Sequence, residues 1–195
     1  LVFICCFVFI FLIKIKPVYI MERLVHKYIF SILYLISFNF YGQCNGSKDL
    51  CNKRYNEVAY LTTHNAFNSK QDSFLFPNQK SNIIEQLNNG VRGLMIDVYD
   101  DNGSIVVYHA YKFLGYKPLS IYLNDIKYFL DNNPNEIITI ILESYTSSNA
   151  IENEINQVGL LKYLHTQDVN SLWPKLQTMI DSNKRLVILS DKNDA

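Results

Sequence analysis

The run Ile137-Ile-Thr-Ile-Ile-Leu142 constrains the fold more than any other stretch of the chain. It is continuous rather than alternating, so a strand built from it is covered on both faces, as strands are when helices flank a parallel sheet. Residues 58–63, 91–98, 105–108 and 186–189 are also β-rich. Between these runs the spacing turns helical. Ile83, Ile84, Leu87 and Val91 recur with a helical period around an Asn89-Gly90 stop. Pro118 opens a longer helix whose buried face is read as Ile121, Ile126, Phe129 and Leu130, and which ends before Pro134. Residues 150–158 and 172–180 read as two more helices about a turn containing Gly159, with His165 and Trp173 packed in that region. Residues 67–80 are polar with scattered aromatics and read as a loop. Strands alternating with helices predict an α/β fold with a mostly parallel sheet of about five strands.

The N-terminus reads separately. Residues 1–12 are almost wholly apolar and are followed by Lys14, Lys16 and Pro17. That run is shorter than the ~20 residues a bilayer-spanning helix needs, and residues 1–20 are read as an upstream hydrophobic segment. From Met21 the layout changes: Arg23, His26 and Lys27 precede an apolar stretch at 28–38 that turns polar by 39–43. This is the pattern of a secretory signal peptide spanning 21–43, with an uncleaved anchor over residues 1–38 as the alternative. Cys44 and Cys51 follow at once. In an oxidising compartment they are expected to form a disulfide within an N-terminal arm at 44–57. Asn45-Gly-Ser and Asn102-Gly-Ser fit the N-glycosylation pattern. The chain carries 18 Lys+Arg against 18 Asp+Glu, so no basic footprint for nucleic acid is present.

Each apolar run stops at a residue suited to chemistry: His64-Asn65, Asp97, His109 and Glu143. Catalytic groups of α/β barrels sit at the C-terminal ends of the strands. The Asp100-Asp-Asn-Gly103 turn adds geometry. If Asn102 and Gly103 form a two-residue hairpin loop, 101 pairs with 104 and 97 falls opposite 108. Asp97 then lies about one rung from His109, roughly 5 Å away between strands. A carboxylate there can orient the ring or hold its tautomer; alternatively it holds a cation while His109 acts alone. Arg92 is read as pairing with a carboxylate at the opposite end of the barrel.

Several motifs occur in order: Leu61-Thr-Thr-His-Asn-Ala-Phe67, Gln86-Leu-Asn-Asn-Gly-Val-Arg-Gly-Leu-Met-Ile-Asp97, Tyr108-His109, and Asn133-Pro-Asn-Glu-Ile-Ile-Thr-Ile-Ile-Leu-Glu143. Together with Arg185-Leu-Val-Ile-Leu-Ser190 they resemble the X-domain-containing branch of the phospholipase C-like phosphodiesterases. The resemblance runs from about Cys51 to the end. It implies a TIM-barrel-like fold, of which residues 58–195 supply the N-terminal portion, and cleavage of a phosphodiester, with phosphatidylinositol as one candidate substrate and contact with a membrane surface. It also implies roles: His64 contacts the phosphoryl group, and His109 as general acid protonates the leaving alcohol. In calcium-dependent members Asn65, Asp97 and Glu143 match the metal ligands, and such oxygen donors suit Ca²⁺.

The chain departs from that pattern at Met95, which stands where calcium-dependent members carry a glutamate. Thioether sulfur is a poor calcium ligand, so weaker metal binding is expected. Metal-independent members place an arginine where Asp97 stands. Two alternatives remain open. One is a secreted, non-catalytic module that keeps the fold. The other is a glycerophosphodiester phosphodiesterase-like enzyme, whose Glu-x-Asp pair Met95-Ile-Asp97 breaks. The chain stops six residues after Leu189 with no helix to cover that strand, and is expected to be the first part of a larger domain.

Overall fold

One strand, β2 (Gly93–Asp101), organises the sheet. In the computed structural model, which describes residues 43–192, the first seven residues of β2 pair with β5 (Ile138–Tyr145), in parallel from Gly93↔Thr139 to Tyr99↔Tyr145. Its other edge is shared. β1 (Thr62–Thr63) pairs in parallel with Gly93 and Leu94, while β3 (Ser104–Val107) folds back antiparallel along Val98 to Asp101. A short β4 (Lys117–Pro118) extends β3, and β6 (Leu186–Ser190) pairs in parallel with β5. The hairpin register is the one the Asn-Gly turn predicts, with Asp101 opposite Ser104; Asn102 and Gly103 both adopt positive φ as that turn requires. The upstream segment 1–20 and the leader, up to residue 42, lie outside the described residues.

Four helices carry the connections: α1 (Ile83–Asn88), α2 (Leu119–Asn132), α3 (Ser148–Gln157) and α4 (Leu176–Asp181). The Asn82 side chain caps α1 by accepting from the Glu85 N–H, and Gly90 follows its end at positive φ. The main core forms where Leu94, Ile96 and Val98 of β2 and Ile138, Ile140 and Leu142 of β5 meet α1, α2 and α3. A second cluster involves the first described segment. Cys44 and Cys51 form a disulfide, and with Tyr55 they pack on Ile137, Leu176, Met179 and Val187. The Tyr55 hydroxyl shares a 2.7 Å hydrogen bond with Thr139, and Tyr55 stacks between Tyr60 and Trp173. Asn45 is committed here as well. Its side-chain amide donates to Ile137 O and accepts from Ile137 N, which ties it to the start of β5.

Several expectations need correction. Among the described residues there are six strands where about five were expected, because β4 forms a two-residue rung on β3. β1 is reduced to two residues. Upstream of it, a 3₁₀ turn at Tyr55–Glu57 and the packing of Val58 and Tyr60 into the second cluster replace strand pairing. The helix expected at 172–180 begins only at Leu176, because the Pro174 carbonyl accepts from Tyr55 and holds the chain extended. His165 and Trp173 therefore precede the helix, although they do pack, 5.6 Å apart between ring centroids. The buried stripe of α2 is Leu119, Tyr122, Leu123, Ile126, Phe129 and Leu130; Ile121 faces outward. Arg92 donates to Glu136 at 2.7 Å, at the end of the sheet away from His109, as expected.

Arg185 shows how the sheet's N-terminal end is sealed. It is buried and donates to the carbonyls of Leu130, Asn133 and Glu136, beyond the last turn of α2. A cation at a helix C-terminus satisfies orphan carbonyls and the helix dipole together. Replacing Arg185 with Met should strand these carbonyls and cost roughly 3 kcal/mol. Urea unfolding monitored by circular dichroism would measure this, and an unchanged midpoint would contradict the assignment.

Candidate active site

β1 and β3 approach along the same edge of β2 from opposite directions and stop short of each other. The interval between them is where the chemistry-bearing residues gather. From one side comes His64-Asn65, just past β1; from the other comes His109, two residues past β3. Ala66 N–H donates to Met95 O, carrying the first segment onto β2 at this point. Asn65 adopts positive φ, a conformation that asparagine tolerates better than most residues. Gly93 permits the close approach of β1, since a Cβ there would sit 2.2 Å from the Thr62 hydroxyl.

Asp97 lies in the interval and is buried. Its Oδ2 is 3.1 Å from His109 Nδ1, and Asn65 Nδ2 is 3.0 Å from the same nitrogen. A neutral ring cannot serve both contacts at once. With Nδ1 protonated, it donates to Asp97; with Nδ1 bare, it accepts from Asn65 and the ring proton sits on Nε2. The imidazole side chain of His109 is 42% exposed, while its partner Asp97 is enclosed. Burial pushes the Asp97 carboxyl above its ordinary value. The hydrogen bond from His109 opposes that shift, and the charge of Glu143 adds to it. Glu143 is the register partner of Asp97 on β5, and the positive field of His64 also reaches Asp97. His64 itself is exposed, with its carbonyl held by the Gln79 side chain.

The residues expected at strand ends thus come together, but not all as strand ends. Asp97 and Glu143 lie inside β2 and β5, which run on to Asp101 and Tyr145. β2 continues because β3 pairs with its last four residues. Met95 shares the Asp97 face of β2 by strand alternation, placing a thioether beside the carboxylates.

Sequence reading passed over two supports. Gln86 is buried and brackets the His64-Asn65 turn: it accepts from the Thr63 hydroxyl at 2.6 Å and donates to Ala66 O at 2.8 Å. Beyond the carboxylates, Tyr108, Tyr99 and Tyr145 stack with centroids 3.7 and 4.5 Å apart, and Tyr145 OH donates to Glu143. The signal was present, since Tyr99 and Tyr145 each stand two residues past a site carboxylate and so share its face. Asn78, in the loop at 67–80, accepts from Asn65 and Asn68. The side-chain amide oxygen of Asn65, Oδ1, is buried without a hydrogen-bond partner. A groove of about 660 Å³ flanks β6, lined by residues such as Ile151, Trp173 and Leu189, and none of these site residues borders it.

His109, Asp97 and Asn65 meet in the interval between β1 and β3, and Glu143 stands across the ladder from Asp97. The comparisons give the family. The family model PI-PLC X 1 matches residues 50–195, and the chain belongs to the PI-PLC X domain family. It is 34% identical over 155 residues to a PI-PLC X domain-containing protein of Arabidopsis thaliana, covering 70% of this chain and 36% of that protein. PI-PLC X domain-containing protein 1 of Arthroderma benhamiae is 29% identical over 160 residues, covering 76% and 50%. An uncharacterized secreted protein of the same fungus is 25% identical over 155 residues, covering 76% and 35%. The chain therefore spans about a third to a half of the length of these relatives. Among solved structures, phosphatidylinositol-specific phospholipase C of Staphylococcus aureus shares the fold, with a TM-score of 0.56 at 19% identity over 72% of this chain and 50% of that one.

The raised Asp97 value has a consequence for stability. Its proton is held more tightly in the folded than the unfolded chain, so stability falls as pH rises from about the ordinary value of 3.8 through the folded one. Asp97→Asn removes that ionisation cost. Its thermal midpoint should exceed wild type at pH 7, with the gap closing as pH is lowered below 4 in a series of melts. A variant less stable than wild type at pH 7 would contradict this reading.

Proposed function

We propose that this chain carries the acid–base half of a phospholipase C-type phosphodiesterase, cleaving a phosphodiester with His64 and His109. The convergence of His109, Asp97 and Asn65 within 3.1 Å is the single observation that carries the reading. His64, exposed at the end of β1, contacts a non-bridging phosphoryl oxygen and offsets its charge. His109 presents Nε2 to the leaving alkoxide and donates its proton there. Asp97 accepts from Nδ1–H, which stabilises the imidazolium and holds the Nδ1–H tautomer left once Nε2 has given up its proton. If the substrate is an inositol phospholipid, the ring hydroxyl next to the phosphate passes its proton to the free imidazole nitrogen of His64 as it attacks phosphorus, the bond to the glycerol oxygen breaks with the proton from His109 going to that oxygen, and a cyclic phosphate and diacylglycerol result. A leader from Met21 and the Cys44–Cys51 disulfide support action outside the cytoplasm, and one relative bears the name of a secreted protein. Among the described residues no helix is long and apolar enough to cross a membrane.

The donor set fits a hard cation in part. Asn65 offers a buried, unpartnered side-chain amide oxygen, and Asp97 and Glu143 are cross-strand neighbours whose charges oppose each other. These three would hold Ca²⁺. When bound, the ion would offset negative charge on the phosphoryl oxygens. Met95 adds no hard oxygen, so affinity is weaker than a four-ligand site would give.

On a water-soluble phosphodiester, His64→Ala and His109→Ala should each lower kcat/KM by ~10²–10⁴-fold with folding intact by circular dichroism. Undiminished hydrolysis by either variant would remove it from the mechanism. Calcium chelation should slow the wild type, and Met95→Glu should lower the calcium concentration needed for half-maximal rate. A rate indifferent to calcium in both proteins would dismiss the cation.

A further inference from the structure

The turn that carries His64 and Asn65 needs more support than its strand provides. β1 places only two residues on β2, and Asn65 departs from it at positive φ. Gln86 holds the ends of the turn, at Thr63 and Ala66. The two residues between them are held by consecutive side chains near the end of the 67–80 loop. Gln79 Nε2 donates to the His64 carbonyl at 2.7 Å, and Asn78 Oδ1 accepts from Asn65 Nδ2 at 3.4 Å. The backbone that presents them is itself anchored. Gln79 N–H donates to Asn68 O, Gln79 O accepts from Lys70 N–H, and Asn68 N–H bonds to Asn65 O. The loop therefore closes onto its own start before it grips the turn.

Asn78 also sets an orientation. Asn65 and Asn68 are 1% and 3% exposed, and both turn their amide nitrogens to the one Asn78 oxygen, Asn68 at 2.8 Å. Both amide oxygens are left buried without a hydrogen-bond partner. An acceptor buried in that state is costly, and Asn65 has a way to relieve it. Turned over, its amide would bring Oδ1 to the Nδ1–H of His109. Asn78 opposes that turn, because the reversed amide would set oxygen against oxygen. With the amide nitrogen toward the ring, Asp97 keeps the Nδ1–H proton to itself. Asn78 is exposed, so burial of its own surface is not what it contributes.

We propose that Asn78 and Gln79 are positioning residues for the candidate acid–base pair: Gln79 fixes the backbone of His64, and Asn78 fixes which end of the Asn65 amide faces His109. The proposal rests on the phosphodiesterase reading for its purpose, but one arm of its test needs no turnover. Asn78 acts as an acceptor and Gln79 as a donor, so their isosteric changes should part company. On a water-soluble diester, Asn78→Leu should lower kcat by roughly tenfold to a hundredfold with KM little changed. Asn78→Asp, which restores the oxygen, should recover to within about threefold of wild type. Gln79→Glu, ionised, cannot donate and should lose as much as Gln79→Leu. Side chains that merely filled space would tolerate both isosteres alike. In the arm without turnover, nitrogen NMR shifts of the neutral His109 ring should move toward the Nδ1–H tautomer in Asn78→Leu and hold the wild-type position in Asn78→Asp. The same His109 shifts in both Asn78 variants, or Gln79→Glu as active as wild type, would overturn the proposal. Should wild type hydrolyse no diester while the His109 shifts separate as expected, the phosphodiesterase reading fails and the Asn78 contact stands.

Discussion

The structure depends on one sharing arrangement: two strands of opposite direction occupy a single edge of β2. A parallel partner reaches its first two residues and an antiparallel partner its last four. Neither can extend without displacing the other. The interval forces both chains to turn away at the same place, and each turn exposes its next side chains to Asp97. The proximity of His109, Asn65 and Asp97 follows from this ladder geometry rather than from attraction among the groups. Gln86 then fixes one of the two turns by binding the backbone and side chain on either side of it.

Burying a carboxylate next to another is unfavourable, and the raised Asp97 value reflects that. The cost is carried by the apolar layers elsewhere. Leu94, Ile96 and Val98 alternate with Met95, Asp97 and Tyr99 along β2, so one face builds the core while the other builds the site. The interior face is divided by height. At its base Thr139 meets Tyr55 from the disulfide-closed segment; further along stand Asp97 and Glu143, and beyond them the tyrosine stack. Polar groups there are held between a packed floor and an aromatic rim, a setting in which electrostatic interactions gain strength.

Membership of the PI-PLC X domain family and the fold shared with the S. aureus enzyme agree on the scaffold. Met95 places a thioether on the Asp97 face, which offers packing rather than a hard donor.

Residue order alone determined the α/β class, the hairpin register through Asn102-Gly103, the run at 137–142, and His64 and His109 just past the ends of β1 and β3. These are local: a turn type, a β-branched run or a helix stop acts over a few residues. It also placed Arg92 opposite a carboxylate away from the site. Tertiary structure decided the rest. Residues 58–61 are β-rich yet form no strand, because Val58 and Tyr60 pack beside Tyr55 and Trp173 in a second cluster. Ile121 fits an apolar period but faces solvent, since the sheet lies one position around the helix. β2 outruns Asp97 because β3 supplies hydrogen bonds to its end. Which strand neighbours which, and what covers each face, depends on contacts between residues far apart in the chain, and no local pattern encodes them.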